Sequence, residues 1–141
     1  MYKLLIPFLL SLSFCAVAAD TQAVKSHVGN CEVVVPADWS VTSNFGVAKS
    51  ADKKLLLAVT SPKSMSSLAE VKQIAPTIYK DDKVTKDSGS EFEMSGTGLG
   101  GKPNIYRAIP SASGVCIAEV NYESGTEGVA RQVIETLKAS K

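Results

Sequence analysis

Residues 91–122 read EFEMSGTGLGGKPNIYRAIPSASGVCIAEVNY, and this stretch decides the fold class. Glu91-Phe92-Glu93-Met94-Ser95 alternates strictly, the period of a strand with Phe92 and Met94 facing inward. Gly96 to Lys102 is a glycine-rich turn, Pro103 to Ile109 a second strand run, and Pro110 to Gly114 a second turn. Val115 to Tyr122 follows, with Cys116, Ala118, Val120 and Tyr122 on one face. Strand runs joined by turns rather than helices pair antiparallel.

The pattern extends upstream. Cys31 to Val35 is β-branched and stops at Pro36, which cannot donate to a ladder. Val41 to Ala48 reads as a weaker strand. Lys54 to Thr60 is a confident one, and its continuous apolar run predicts a central strand covered on both faces. Residues 20–29 show no period and read as a loose start. Two segments switch to helical spacing. In Ser64 to Tyr79 the stripe is Leu68, Val71, Ile74 and Ile78, Ser67 and Glu70 match a capping box, and Pro76 should kink or shorten the helix. Asp81-Asp82-Lys83 reads as its polar exit. In Thr126 to Ala139 the stripe is Val129, Val133 and Leu137 with Ile134 alongside, capped by Ser124 and Glu127. The expected class is α+β: a single antiparallel sheet of about six strands flanked by two helices.

Residues 1–19 have the three parts of a secretory signal peptide: Lys3, the apolar run Leu4 to Val17, and small residues at Ala18-Ala19. The run is shorter than the ~20 residues of a spanning helix. Cleavage near Ala19 would leave residues 20–141 as one domain, periplasmic or secreted, with no stable membrane anchor. Bulky Phe14 before Cys15 argues against a lipidated cysteine. Without Lys3, 14 basic residues stand against 14 acidic, and no basic stripe marks a nucleic-acid binder. Cys31 and Cys116 then remain, and an even count in an exported chain reads as a disulfide. The rival, a reactive cysteine, needs a basic neighbour that neither has in sequence.

Catalytic signatures are sparse. Gly96 to Gly101 fits a nucleotide-binding glycine pattern, but Pro103 and a following strand replace the expected helix, so a hairpin loop is the reading. His27 is the single histidine, too few for a zinc site, and no metal or cofactor is expected. Glu91 and Glu93 share a strand face and could mimic a carboxylate pair, although a solvated face explains them equally. Asp81-Asp82 lacks calcium-loop spacing. Trp39, the single tryptophan, is either a partner anchor or a plug for one end of the core, and its bulk favours the core. Tyr106, Arg107 and Tyr122 complete the candidate partner-binding set.

The turn Pro36-Ala37-Asp38-Trp39 resembles the P-x-x-W turn of PsbP-like and DcrB-like domains. The capped helix at Ser67–Glu70, the Gly96 hairpin into Tyr106-Arg107, and the closing strand and helix through Val129–Ile134 are similar to elements found there in the same order. The resemblance implies an antiparallel sheet flanked by helices and a largely non-enzymatic set of relatives: photosystem subunits, Ran-binding factors, periplasmic lipoproteins and secretion-system chaperones. It supplies no common catalytic residue. The Cys31–Cys116 pair and the plain leader depart from the lipoprotein members. The functional expectation is an exported, non-enzymatic protein-binding module that acts on another exported protein as accessory subunit, chaperone, inhibitor or immunity-type protein. The alternative is a small-ligand binder or weak hydrolase on the sheet face near Glu91, Glu93, Tyr106 and Arg107.

Overall fold

The structure is a computed structural model that describes residues 20–42 and 44–140. The expected leader, with Lys3 and Cys15, lies outside them. The chain runs β1 (Thr21–Lys25), β2 (Cys31–Pro36), β3 (Ser40–Thr42), β4 (Val47–Lys49), β5 (Leu55–Thr60), α1 (Leu68–Ile78), β6 (Lys83–Asp87), β7 (Phe92–Gly96), β8 (Asn104–Ser111), β9 (Gly114–Tyr122), α2 (Glu127–Ile134) and β10 (Lys138–Ala139). The fold is α+β with two helices and antiparallel pairing, as the sequence implied. The strands form two sheets rather than one: seven strands in the order β3-β4-β5-β9-β8-β7-β6, and three in the order β1-β2-β10.

Three layers result. Strand alternation sends Val115 and Ile117 of β9, Tyr106 and Ala108 of β8, and Phe92 and Met94 of β7 toward α1, where they bury Leu68, Val71 and Ala75. The opposite faces of β8 and β9, with Leu55, Leu57 and Val59 of β5, pack against the small sheet and Ala130, Val133 and Ile134 of α2. β9 is therefore covered on both faces from Val115 to Ala118.

Several sequence expectations shift for local reasons. The loose start is β1, whose Val24 is buried and pairs with Val33. A single buried residue in a polar five-residue strand leaves no visible period. Val41 to Ala48 is a hairpin, β3 and β4, and Gly46 makes its turn possible. Its φ is +65°, and a Cβ there would meet the Val59 carbonyl at 2.4 Å. The polar exit after α1 becomes edge strand β6, exposed but for Lys86. β5 is central, yet only Leu55, Leu57 and Val59 are buried, while Leu56 is 41% exposed. In α1 the buried stripe is Leu68, Val71, Ala75 and the following Tyr79, so Ile74 and Ile78 face outward. Ser67 does cap it, its Oγ accepting from the Glu70 amide at 3.2 Å, while the Glu70 carboxylate accepts from the Ser66 amide at 2.8 Å. Pro76 sits in the last turn and the helix ends two residues later.

The second helix stops at Ile134 instead of reaching Ala139. Thr136 draws the chain out of it: its hydroxyl donates to Val133 O at 2.7 Å and accepts from the Val34 amide at 2.8 Å. The segment beyond then pairs with β2 as β10. Thr126, not Ser124, occupies the N-cap and makes no side-chain cap bond. The Pro36–Trp39 turn closes through the Trp39 amide on Pro36 O at 3.2 Å, and Gln22 Nε2 donates to Trp39 O at 2.7 Å.

Cys31 and Cys116 are joined, tying β2 of the small sheet to β9 of the large one across 85 positions. A loop of that length stabilises the fold by about 4–5 kcal/mol in the chain-entropy picture. Urea denaturation with and without reductant should show a loss of that order, and a Cys31→Ala, Cys116→Ala double variant should match the reduced protein. An unchanged midpoint on reduction would remove the bond from the fold's energetics.

Candidate functional site

Leu56 is the key to the surface. On β5 it must point away from its buried neighbours Leu55 and Leu57. That places it on the α1 side of the sheet, beyond the reach of α1, which packs over β7, β8 and β9. The uncovered strip becomes a trough with Leu56, Ala58 and Thr60 as its floor. Three adjoining hollows of about 480, 170 and 350 Å³ make it up. The first two share Tyr79 and Glu119, and the last two share Thr60 and Pro62.

Apolar side chains collect along it. Among the described residues, eight large hydrophobic side chains are exposed, and five of them line this trough: Val28, Phe45, Leu56, Ile78 and Leu99. Phe45 is 67% exposed and Leu99 70%. At one end His27 stacks on Phe45 with ring centroids 6.2 Å apart. At the other end Lys53, Lys54 and Lys102 stand around Leu56 and Leu99.

The back of the basic end is a fixed polar cluster. The Tyr79 hydroxyl donates to Glu119 Oε2 at 2.8 Å, and Asn104 Nδ2 donates to Glu119 Oε1 at 2.5 Å. Burial and the Glu119 carboxylate push the Tyr79 phenol well above its ordinary pKa, so it stays a donor. Burial does the same to Tyr106, whose ring lies 5.3 Å from that of Tyr79. Asn104 is fully buried beneath the glycine loop. Gly98, at φ +59°, lies so close that a Cβ would meet Asn104 Nδ2 at 2.8 Å. The Gly98 amide donates to Asp82 Oδ1 at 3.1 Å, so this loop spends an N–H on the protein's own carboxylate. It is a hairpin loop leading into β8, without the helix a phosphate site would use.

The residues singled out from sequence do not converge. Trp39 is 6% exposed and Tyr106 4%, both within the core. Tyr122 is half-buried against the small-sheet side. Arg107 pairs with Glu91 at 3.1 Å. Glu93, expected with Glu91 as either a carboxylate pair or a solvated face, is 1% exposed beneath α2, where it accepts from Arg131 Nη1 at 2.8 Å and from Thr85 Oγ1 at 3.0 Å. Tyr106 points to the other face of the sheet. The four residues of the hydrolase alternative are thus split between two layers. His27 is exposed in the β1–β2 loop. Among the described residues no group of three or more His, Cys, Asp or Glu could hold a metal ion, and no helix is long and apolar enough to cross a membrane.

Sequence reading missed the trough because each of its apolar residues looks ordinary alone. The available signal was parity: of three consecutive leucines on one strand, the middle one must face away from its neighbours.

A seven-stranded antiparallel sheet with α1 on one face, and α2 with a three-stranded sheet on the other, is an α+β fold of the PsbP-like kind. Among solved structures it is similar to cyanobacterial PsbP (CyanoP) from Synechocystis sp. PCC 6803, with a TM-score of 0.52 over 92% of this chain and 99% of that chain, at 10% sequence identity. No family model matches the sequence, and no curated protein matches it.

The Glu93 site gives a pH prediction. Burial acts to raise its pKa, but the Arg131 and Thr85 hydrogen bonds, with Lys86 nearby, outweigh it and hold the carboxyl below the usual range. Its stabilisation is therefore full above the ordinary value of 4.5 and is lost as pH falls through the lower folded value. Glu93→Gln should flatten that acid-side fall in urea midpoint. Glu93→Ala should cost about 1.5 kcal/mol at neutral pH by removing its charged hydrogen bonds, since Arg131, about a third exposed, is left partly solvated.

Proposed function

We propose that this chain is an exported, non-enzymatic protein-binding module, periplasmic or secreted after cleavage near Ala19, and that it holds its partner in the trough beside α1. The partner is another exported protein, which the module serves as accessory subunit, chaperone, inhibitor or immunity-type protein. One observation carries this reading: five of the eight exposed large apolar side chains gather in one trough. Scattered apolar residues are ordinary on a protein surface, whereas a continuous apolar strip marks an interaction site.

Two further facts support it. A buried disulfide that ties the two sheets suits an oxidising compartment. The hydrolase alternative needs Glu91, Glu93, Tyr106 and Arg107 to converge, but Tyr106 lies on the opposite face of the sheet from the other three, whose carboxylates are already paired to arginines. A toxin gene beside its own would narrow the role to immunity.

Capture from a periplasmic extract tests the reading. The wild-type chain should retain one protein reproducibly. A Phe45→Asp, Leu56→Asp variant should retain about tenfold less of it while keeping its urea midpoint, since both side chains are exposed. Equal recovery by wild type and variant would move the binding face elsewhere. Recovery of nothing by either would count against the module.

A further inference from the structure

The two ends of the trough differ in charge. Lys53 and Lys54 lie in the turn into β5 and Lys102 in the loop before β8, and all three are exposed around the largest hollow. Among the described residues none has an acidic partner within salt-bridge distance. Glu119 is the one carboxylate lining that hollow, and each of its oxygens already accepts from Tyr79 or Asn104. Three lysines against Glu119 and the adjoining Asp52, which attracts Lys54, leave this end with net positive charge beside exposed Leu56 and Leu99.

Lys53 adds an independent sign. It is the one non-glycine among the described residues with positive φ, at +62°. The turn is held by Ser50 and Asp52: the Ser50 hydroxyl donates to Asp52 Oδ1 at 2.6 Å, and the Lys54 amide donates to the same oxygen at 3.1 Å. Glycine would take this position without strain. A lysine there carries a conformational penalty, as residues at functional sites often do.

We propose that this basic end receives an acidic stretch of the partner protein, with adjacent Asp or Glu side chains against Lys53, Lys54 and Lys102 and apolar side chains running on over Leu56 toward Ile78 and Phe45. The inference rests on the protein-binding reading above and adds the chemistry of the partner. A protein segment fits better than a small amphiphile. Leu99 and Phe45 stand more than half exposed, so the trough is a surface to be covered and not a cavity that encloses a ligand. Lysines at the rim would act mainly on encounter and register, so the interaction should be salt-sensitive.

The test pans a phage-displayed library of random dodecapeptides against the full chain, purified as the host processes it, and maps the selected peptides by amide chemical shifts. The selected sequences should place adjacent acidic residues at one end of an apolar run and shift Lys53, Lys54, Leu56, Leu99 and Lys102. Lys54→Glu and Lys102→Glu should each weaken binding by about tenfold, with the loss shrinking as salt rises. Lys53→Gly should weaken it by about threefold without lowering the urea midpoint, which separates lost charge from lost fold. Peptides that occupy Leu56, Ile78 and Phe45 without acidic preference would overturn this inference and leave the protein-binding reading standing. Peptides that map away from the trough, or none at all, would overturn both. Binding to phosphatidylglycerol vesicles that Lys54→Glu abolishes, in place of peptide binding, would assign the lysines to a lipid surface and overturn the proposal.

Discussion

Cys31 and Cys116 join the two sheets by a covalent bond through the core between them. β2 carries Cys31, Val33 and Val35 inward, and β9 answers with Cys116, Ala118 and Val120. The small sheet has little else to define it. It consists of one five-residue strand, one six-residue strand and a two-residue strand from the far end of the chain. Strands that few and short are marginal alone and need a packed neighbour. The crosslink, the apolar layer beneath it and the Thr136 bridge to Val34 together hold β2, β10 and α2 over the large sheet.

A second constraint is polar. Glu93 lies on the strand face that packs under α2, where a carboxylate is tolerated only with partners. Arg131 reaches it from α2, Thr85 from a bulge in β6, and Lys86 stands 3.7 Å away. Two separate elements, α2 and β6, are thus aligned around one side chain of β7. The alternation of residues 91–95 correctly turned Phe92 and Met94 toward one layer, but it said nothing about what covers the other face. A glutamate on an alternating strand reads as solvent-facing until a helix is known to lie over it.

The trough follows from a mismatch in width. α1 has 11 residues and spans three strands of a seven-stranded sheet. The strands left uncovered on that side keep an apolar residue where full solvation would favour a polar one. Tyr79 closes the helix end of the gap and fixes Glu119 and Asn104 behind it. The exposed lysines, Leu99 and Phe45 surround the floor.

Local periodicity was enough to give the α+β class, the antiparallel meander of residues 91–122, the cap at Ser67, the Pro36–Trp39 turn and the pairing of the two cysteines. These depend on neighbours close in sequence or on a count. Tertiary structure alone decided that the strands divide into two sheets, that β1 and β6 exist, that the last helix gives way to β10, and which side of β5 stays bare. Each of those outcomes is set by what packs against a face, and a residue's alternation fixes its parity but not the layer that meets it.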